Sequence, residues 1–163
     1  MKKILLLIIV LVIGLLSSCG YDSDYKTPDE KAIEMQNNII ACFINHDEEK
    51  LKKCFCFKVQ KQYQLTSQIQ YAFDYIDGEI VSYEEPDSRV IGPIEEKEFG
   101  ATTKKVITDK GTEYKISFSG MERMDSDPQQ EGVTYIKVIN MTLADPLPND
   151  QKEQYIIYIG EHD

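Results

Sequence analysis

The sequence predicts an α+β fold, with three N-terminal helices packed on one face of a curved, mainly antiparallel sheet. Three observations carry this. Residues 27–30 read Thr-Pro-Asp-Glu, a helix start. The apolar period is helical up to Gly78 and alternating beyond it. Tyr114, Ile116 and Phe118 then alternate with Glu113, Lys115 and Ser117, which gives one strand a buried face and a wet face.

Along the chain, Thr27 is placed to cap the first helix, Pro28 fits its first position, and Glu30 completes a capping box. That helix runs to about Asn45, with Ile33, Ile40, Phe43 and Ile44 as its apolar stripe. His46-Asp47 breaks it, and Asp47 caps a shorter helix in which Leu51 and Phe55 share a face. Thr66 caps a third, where Ile69, Ala72, Phe73 and Ile76 fall at helical spacing and Gly78 closes the segment. Residues 80–83 and 89–91 are strand-like. Residues 102–108 and 112–119 flank Asp109-Lys110-Gly111, a hairpin turn with glycine where a left-handed residue is needed. Residues 125–132 make a polar loop. Residues 133–143 are rich in β-branched and aromatic side chains and apolar on both faces, which places them centrally in the sheet. Residues 155–159 form the last strand, after a loop holding Pro146 and Pro148.

The N-terminus carries the most specific signal. Lys2 and Lys3 precede an apolar run of 13 residues, Ile4 to Leu16. That suits the roughly 7–15 residues of a secretory signal and falls short of the ~20 of a spanning helix. Leu16-Ser17-Ser18-Cys19 resembles the lipobox of bacterial lipoproteins, in which the cysteine thiol takes a diacylglyceryl group and becomes the first mature residue. Cleavage after Ser18 to free a secreted protein is the alternative, but it gives Cys19 no purpose. The expected organisation is therefore a signal peptide at 1–18, a lipid-anchored tether at 19–27 and one α+β domain at 28–163. Its expected place is the outer face of the bacterial cytoplasmic membrane, with the membrane as partner through the anchor.

Removing Lys2 and Lys3 takes the formal net charge from −10 to −12. An acidic chain with scattered lysines (Lys104-Lys105 is the densest mature pair) argues against nucleic acid as a partner. Cys42, Cys54 and Cys56 are an odd number and cannot all pair within one chain.

The order of helices followed by a meander resembles the cone-shaped fold of nuclear-transport-factor-like proteins. Residues 68–84, QIQYAFDYIDGEIVSYE, are similar to the helix-to-strand junction of an uncharacterised family of small clostridial-type lipoproteins. The likeness extends over residues 30–160. It implies the fold and supplies no catalytic residue.

Cys42 and His46 lie four apart on one helix, with Cys54-Phe55-Cys56 just beyond, so a Cys3His zinc site is conceivable. Buried free thiols are the expectation, because each cysteine sits beside an apolar stripe. One disulfide, Cys42 with Cys54 or Cys56, is the other alternative. His46 beside Asp47 and Glu48 reads as a loop histidine next to a helix cap, and His162 lies in the terminal tail. Glu84-Glu85 and Glu95-Glu96 read as solvated carboxylates without calcium-loop spacing. No catalytic residue, cofactor or metal is expected.

Ile69, Phe73, Tyr114, Ile116, Phe118, Ile136 and Val138 are the residues placed to line a pocket between helices and sheet; otherwise they fill the core. The expected function is that of a lipid-anchored, extracytoplasmic, non-catalytic binding domain whose ligand, a protein or a small molecule, the sequence does not identify. One alternative is a protein-partner surface built from Tyr63, Tyr71, Tyr75, Tyr83, Tyr135, Tyr155 and Tyr158. The other is an enzyme that uses the cone pocket.

Overall fold

The computed structural model describes residues 26–161; Cys19 with its preceding segment and His162 lie outside them. The described chain is α+β: helices first, then a six-stranded antiparallel sheet that remains open. No helix among the described residues is long and apolar enough to cross a membrane.

Helix α1 spans Pro28–Asn45 and starts as its sequence dictates. Thr27 Oγ1 accepts from the Glu30 amide at 3.3 Å, and the Glu30 carboxylate accepts from the Thr27 amide at 2.7 Å. That hydrogen bond holds the Glu30 carboxyl below its ordinary range. The helix ends on His46, which takes left-handed φ 50° and is the only described non-glycine residue with positive φ. The buried face of α1 is Ala32, Gln36, Ile39, Ile40, Cys42 and Phe43. Ile44, expected in the stripe, is 41% exposed. Gln36 is fully buried in its stead; its amide Nε2 donates to Thr103 Oγ1 (3.1 Å) and to the Ile116 carbonyl (2.9 Å).

Asp47 caps helix α2, Glu48–Cys54, by accepting from the Lys50 amide at 3.0 Å. A one-turn helix α3, Phe57–Gln60, follows, so four helices precede the sheet where three were expected. Only Val59 of α3 is buried, too little apolar signal for periodicity to register. Helix α4, Leu65–Tyr75, begins two residues earlier than a Thr66 cap would allow. Gln64 is already in helical conformation at its N-cap, and Thr66 Oγ1 instead accepts from Lys52 Nζ at 3.4 Å.

The strands are β1 (Ile80–Tyr83), β2 (Asp87–Ile91), β3 (Glu96–Thr108), β4 (Glu113–Met124), β5 (Gly132–Asn140) and β6 (Ile156–Gly160). The order is β1-β3-β4-β5-β6, with β2 also pairing β3. Two short strands therefore share one edge of the long β3: β1 lies along its C-terminal half and β2 along its N-terminal half. The β3–β4 hairpin turns at Gly111, φ 78°, as its sequence requires. Strand β5 ends at Asn140, three residues short of the expected end at residue 143, because Asn140 Oδ1 accepts from the Leu143 amide at 3.1 Å. That cap opens a short helix, α5, at Met141–Ala144.

Helix–sheet packing forms the core. Tyr114, Ile116, Ile136, Val138 and Ile159 from the strands meet Ile39, Ile40, Phe43, Ile69 and Phe73 from the helices. Tyr114 also closes the helix-to-sheet junction. Its hydroxyl accepts from the Asp77 amide (2.9 Å) and donates to the Tyr75 carbonyl (3.1 Å), while Tyr75 Oη donates to the Tyr155 carbonyl (2.7 Å).

Candidate site on the outer face of the sheet

The seven residues expected around an internal pocket are all in the buried core. Ile69, Tyr114, Ile116, Ile136 and Val138 are fully buried, and Phe73 and Phe118 nearly so. Phe43 stacks edge-on to Phe73 and Phe99 to Phe118, at centroid distances of 5.4 and 5.2 Å. The helix–sheet interface at these positions is packed side chain.

Strict alternation sends the neighbouring residues to the opposite face. Register then assembles what no single strand contains. Arg89 pairs with Gly100, Gly100 with Ser119, Ser119 with Tyr135, and Tyr135 with Gly160. The parallel row is Asp87, Thr102, Ser117, Lys137 and Tyr158. Small and hydroxyl-bearing residues thus occupy β3 and β4, while larger side chains stand on β2 and β5. The result is a depression of about 310 Å3 with Gly100, Thr102, Ser117 and Ser119 as its floor. Arg89, Ile91, Glu98 and Tyr135 form its walls. Three interstrand steps of ~4.8 Å separate the Arg89 and Tyr135 backbones by about 14 Å.

Gly100 is a requirement of this surface. A Cβ there would lie 2.6 Å from the Phe118 carbonyl oxygen, so any side chain would displace the β4 backbone. Arg123 forks onto Asp125 at 2.7 and 3.2 Å, and Lys104 pairs with Asp87. Arg89 has no ion pair among the described residues. Its guanidinium and the Glu98 carboxylate therefore stand on a shared rim as donor and acceptor, over three hydroxyls that do both. At about 310 Å3 the depression meets the lower end of the size range of small-molecule sites.

The other sequence candidates are dispersed. His46 is an exposed helix terminus whose ring packs 5.2 Å from that of Phe73. Cys42, Cys54 and Cys56 are free thiols, and no cluster of three metal-ligating side chains occurs among the described residues. Tyr63 is almost wholly exposed and Tyr71 and Tyr83 partly so, whereas Tyr75 and Tyr155 belong to the junction described above. Tyr135 and Tyr158 pack edge-to-face at 6.2 Å on the outer sheet face.

The outer-face site was not found by sequence reasoning. Alternation already put Ser117 on a wet face. What was missing was the N-terminal half of β3, residues 96–101, which brings Gly100 and Glu98 into the sheet beside Arg89.

A comparison with curated proteins gives no match. A family model described as a domain of unknown function, DUF5104, matches residues 38–141, from the middle of α1 to the start of α5, a stretch that includes every residue lining the outer-face depression. The chain belongs to the DUF5104 family.

Proposed function

We propose that this chain is a lipid-anchored, extracytoplasmic, non-catalytic binding domain whose small hydroxylated ligand lies in the outer-face depression. We read the fold as a nuclear-transport-factor-like cone and the chain as one of the clostridial-type lipoproteins. The signal run and the Leu16-Ser17-Ser18-Cys19 box support the anchor. The observation that carries the binding reading is the row Arg89–Gly100–Ser119–Tyr135, a floor of small residues between a guanidinium without an ion pair among the described residues and an aromatic wall. In a cone of this kind the usual place for a ligand is between helices and sheet. Here Ile116, Phe118, Ile136 and Val138 occupy that space, which favours the opposite face.

Hydroxyl-rich ligands such as sugars fit the chemistry. Thr102, Ser117 and Ser119 exchange hydrogen bonds with ring hydroxyls, Tyr135 covers an apolar face, and Arg89 takes an acidic substituent in bidentate fashion. Titration with neutral and acidic monosaccharides, followed by amide shifts, tests this. Saturable shifts centred on Gly100, Thr102, Ser117 and Ser119 are expected, with the acidic sugars weakened about tenfold in Arg89→Ala. Saturable shifts confined to other elements, or none with any sugar, would sink the reading.

A further inference from the structure

At the corner between α1 and α2, left-handed His46 turns the chain and Asp47 restarts it. This brings the last full turn of α1 beside the last residue of α2. There the Cys42 and Cys54 side chains come near enough for each thiol to act on the other's ionisation. Cys54 Sγ also donates to the Lys50 carbonyl at 3.4 Å. Both cysteines line a depression of about 440 Å3, together with Asn38, Asp47, Lys50 and Lys53. Cys42 is 4% exposed at its base and Cys54 is half-buried at its mouth. Cys56, only two residues further, belongs elsewhere. It is 2% exposed in the core, and its amide donates to the Val133 carbonyl at 2.8 Å.

We propose that Cys42 and Cys54 form a thiol–disulfide exchange pair that closes into an intramolecular disulfide, with Cys56 excluded. The oxidant is another disulfide, either a small-molecule one or an oxidised dithiol protein. The Cys54 sulfur, the accessible one, attacks one sulfur of that disulfide; its own proton is lost and the first partner thiol leaves. The Cys42 sulfur then attacks Cys54 Sγ, the mixed disulfide breaks, and the second partner thiol leaves. The chain loses two hydrogens and the partner disulfide becomes two thiols. Burial, with the neighbouring thiol adding to it, pushes Cys54 up to about 12, and burial also raises Cys42. Of the charged groups facing the pair, Asp47 opposes the thiolate and Lys50 favours it. Little thiolate exists at neutral pH, so closure is slow and the closed form is slow to exchange. The pair is therefore suited to a lasting cross-link between α1 and α2.

The test uses the full chain in detergent, incubated with oxidised glutathione under native conditions, acid-quenched, alkylated and peptide-mapped. The expected product is a Cys42–Cys54 cross-link lighter by two hydrogens, with Cys56 alkylated only after unfolding. Cys56→Ser should close at an unchanged rate, and Cys42→Ser should hold glutathione on Cys54 as a mixed disulfide. A cross-link involving Cys56, or three thiols still free after prolonged native oxidation, would overturn the proposal.

Discussion

Two rows of residues cross the sheet one position apart and meet opposite fates. On the inner row Ala101, Phe118, Ile136 and Ile159 are register partners, all buried against the helices. On the outer row Arg89, Gly100, Ser119, Tyr135 and Gly160 are partners, and their centre stays hollow. The same backbone serves both. Where side chains sum to the available volume the face becomes core; where glycine and serine coincide across strands, space is left for something else.

The sharpest way to break that contrast is on the inner row. Phe118→Ala should cost about 3–5 kcal/mol, since Phe118 is 4% exposed and packed against Phe99. Urea unfolding measures it. A loss below about 1 kcal/mol would mean the helix–sheet space is already loose, which revives a pocket there. Tyr114→Phe comes next. It keeps the ring but strips the Asp77 amide and the Tyr75 carbonyl of their partner, at about 1–3 kcal/mol by the same assay.

The junction also has a pH signature. Burial raises the Tyr75 phenol to about 12 from its ordinary 10, so the folded state prefers the neutral form. That preference contributes fully below pH 10 and is lost as pH climbs from 10 towards 12. Unfolding midpoints should fall across that window, and Tyr75→Phe should flatten the fall. An unchanged slope in the variant would place the alkaline loss elsewhere.

Smallest of all is the expected stability effect on the outer row. Arg89→Ala should change stability by less than about 0.5 kcal/mol, because an exposed guanidinium with no ion pair among the described residues contributes little to folding. Its effect should fall on sugar binding, read by the same amide-shift titration. A large destabilisation with binding intact would make Arg89 structural.

Much of this contrast was legible in sequence within an element and little of it between elements. The Thr27–Glu30 box, the Asp47 cap, the Gly111 turn and the inward faces of Tyr114, Ile116 and Phe118 each follow from residues close in the chain. Gln36 was missed because a polar residue at a core position of α1 is explained only by Thr103 and Ile116, partners 67 and 80 positions away. The hollow of the outer row was missed for the same reason. Gly100 and Ser119 are unremarkable singly, and their coincidence exists only once β3 and β4 are in register.

The central claim is that the inner row is full and the outer row is not. One paired measurement addresses it: the shift in urea midpoint on adding a leucine side chain to each row of the same two strands. Ala101→Leu forces added volume into packed core and should cost about 1–3 kcal/mol. Ser119→Leu places it in the hollow and should cost no more than about 0.5 kcal/mol while blocking sugar-induced shifts at Gly100. Equal costs at the two positions would contradict the account.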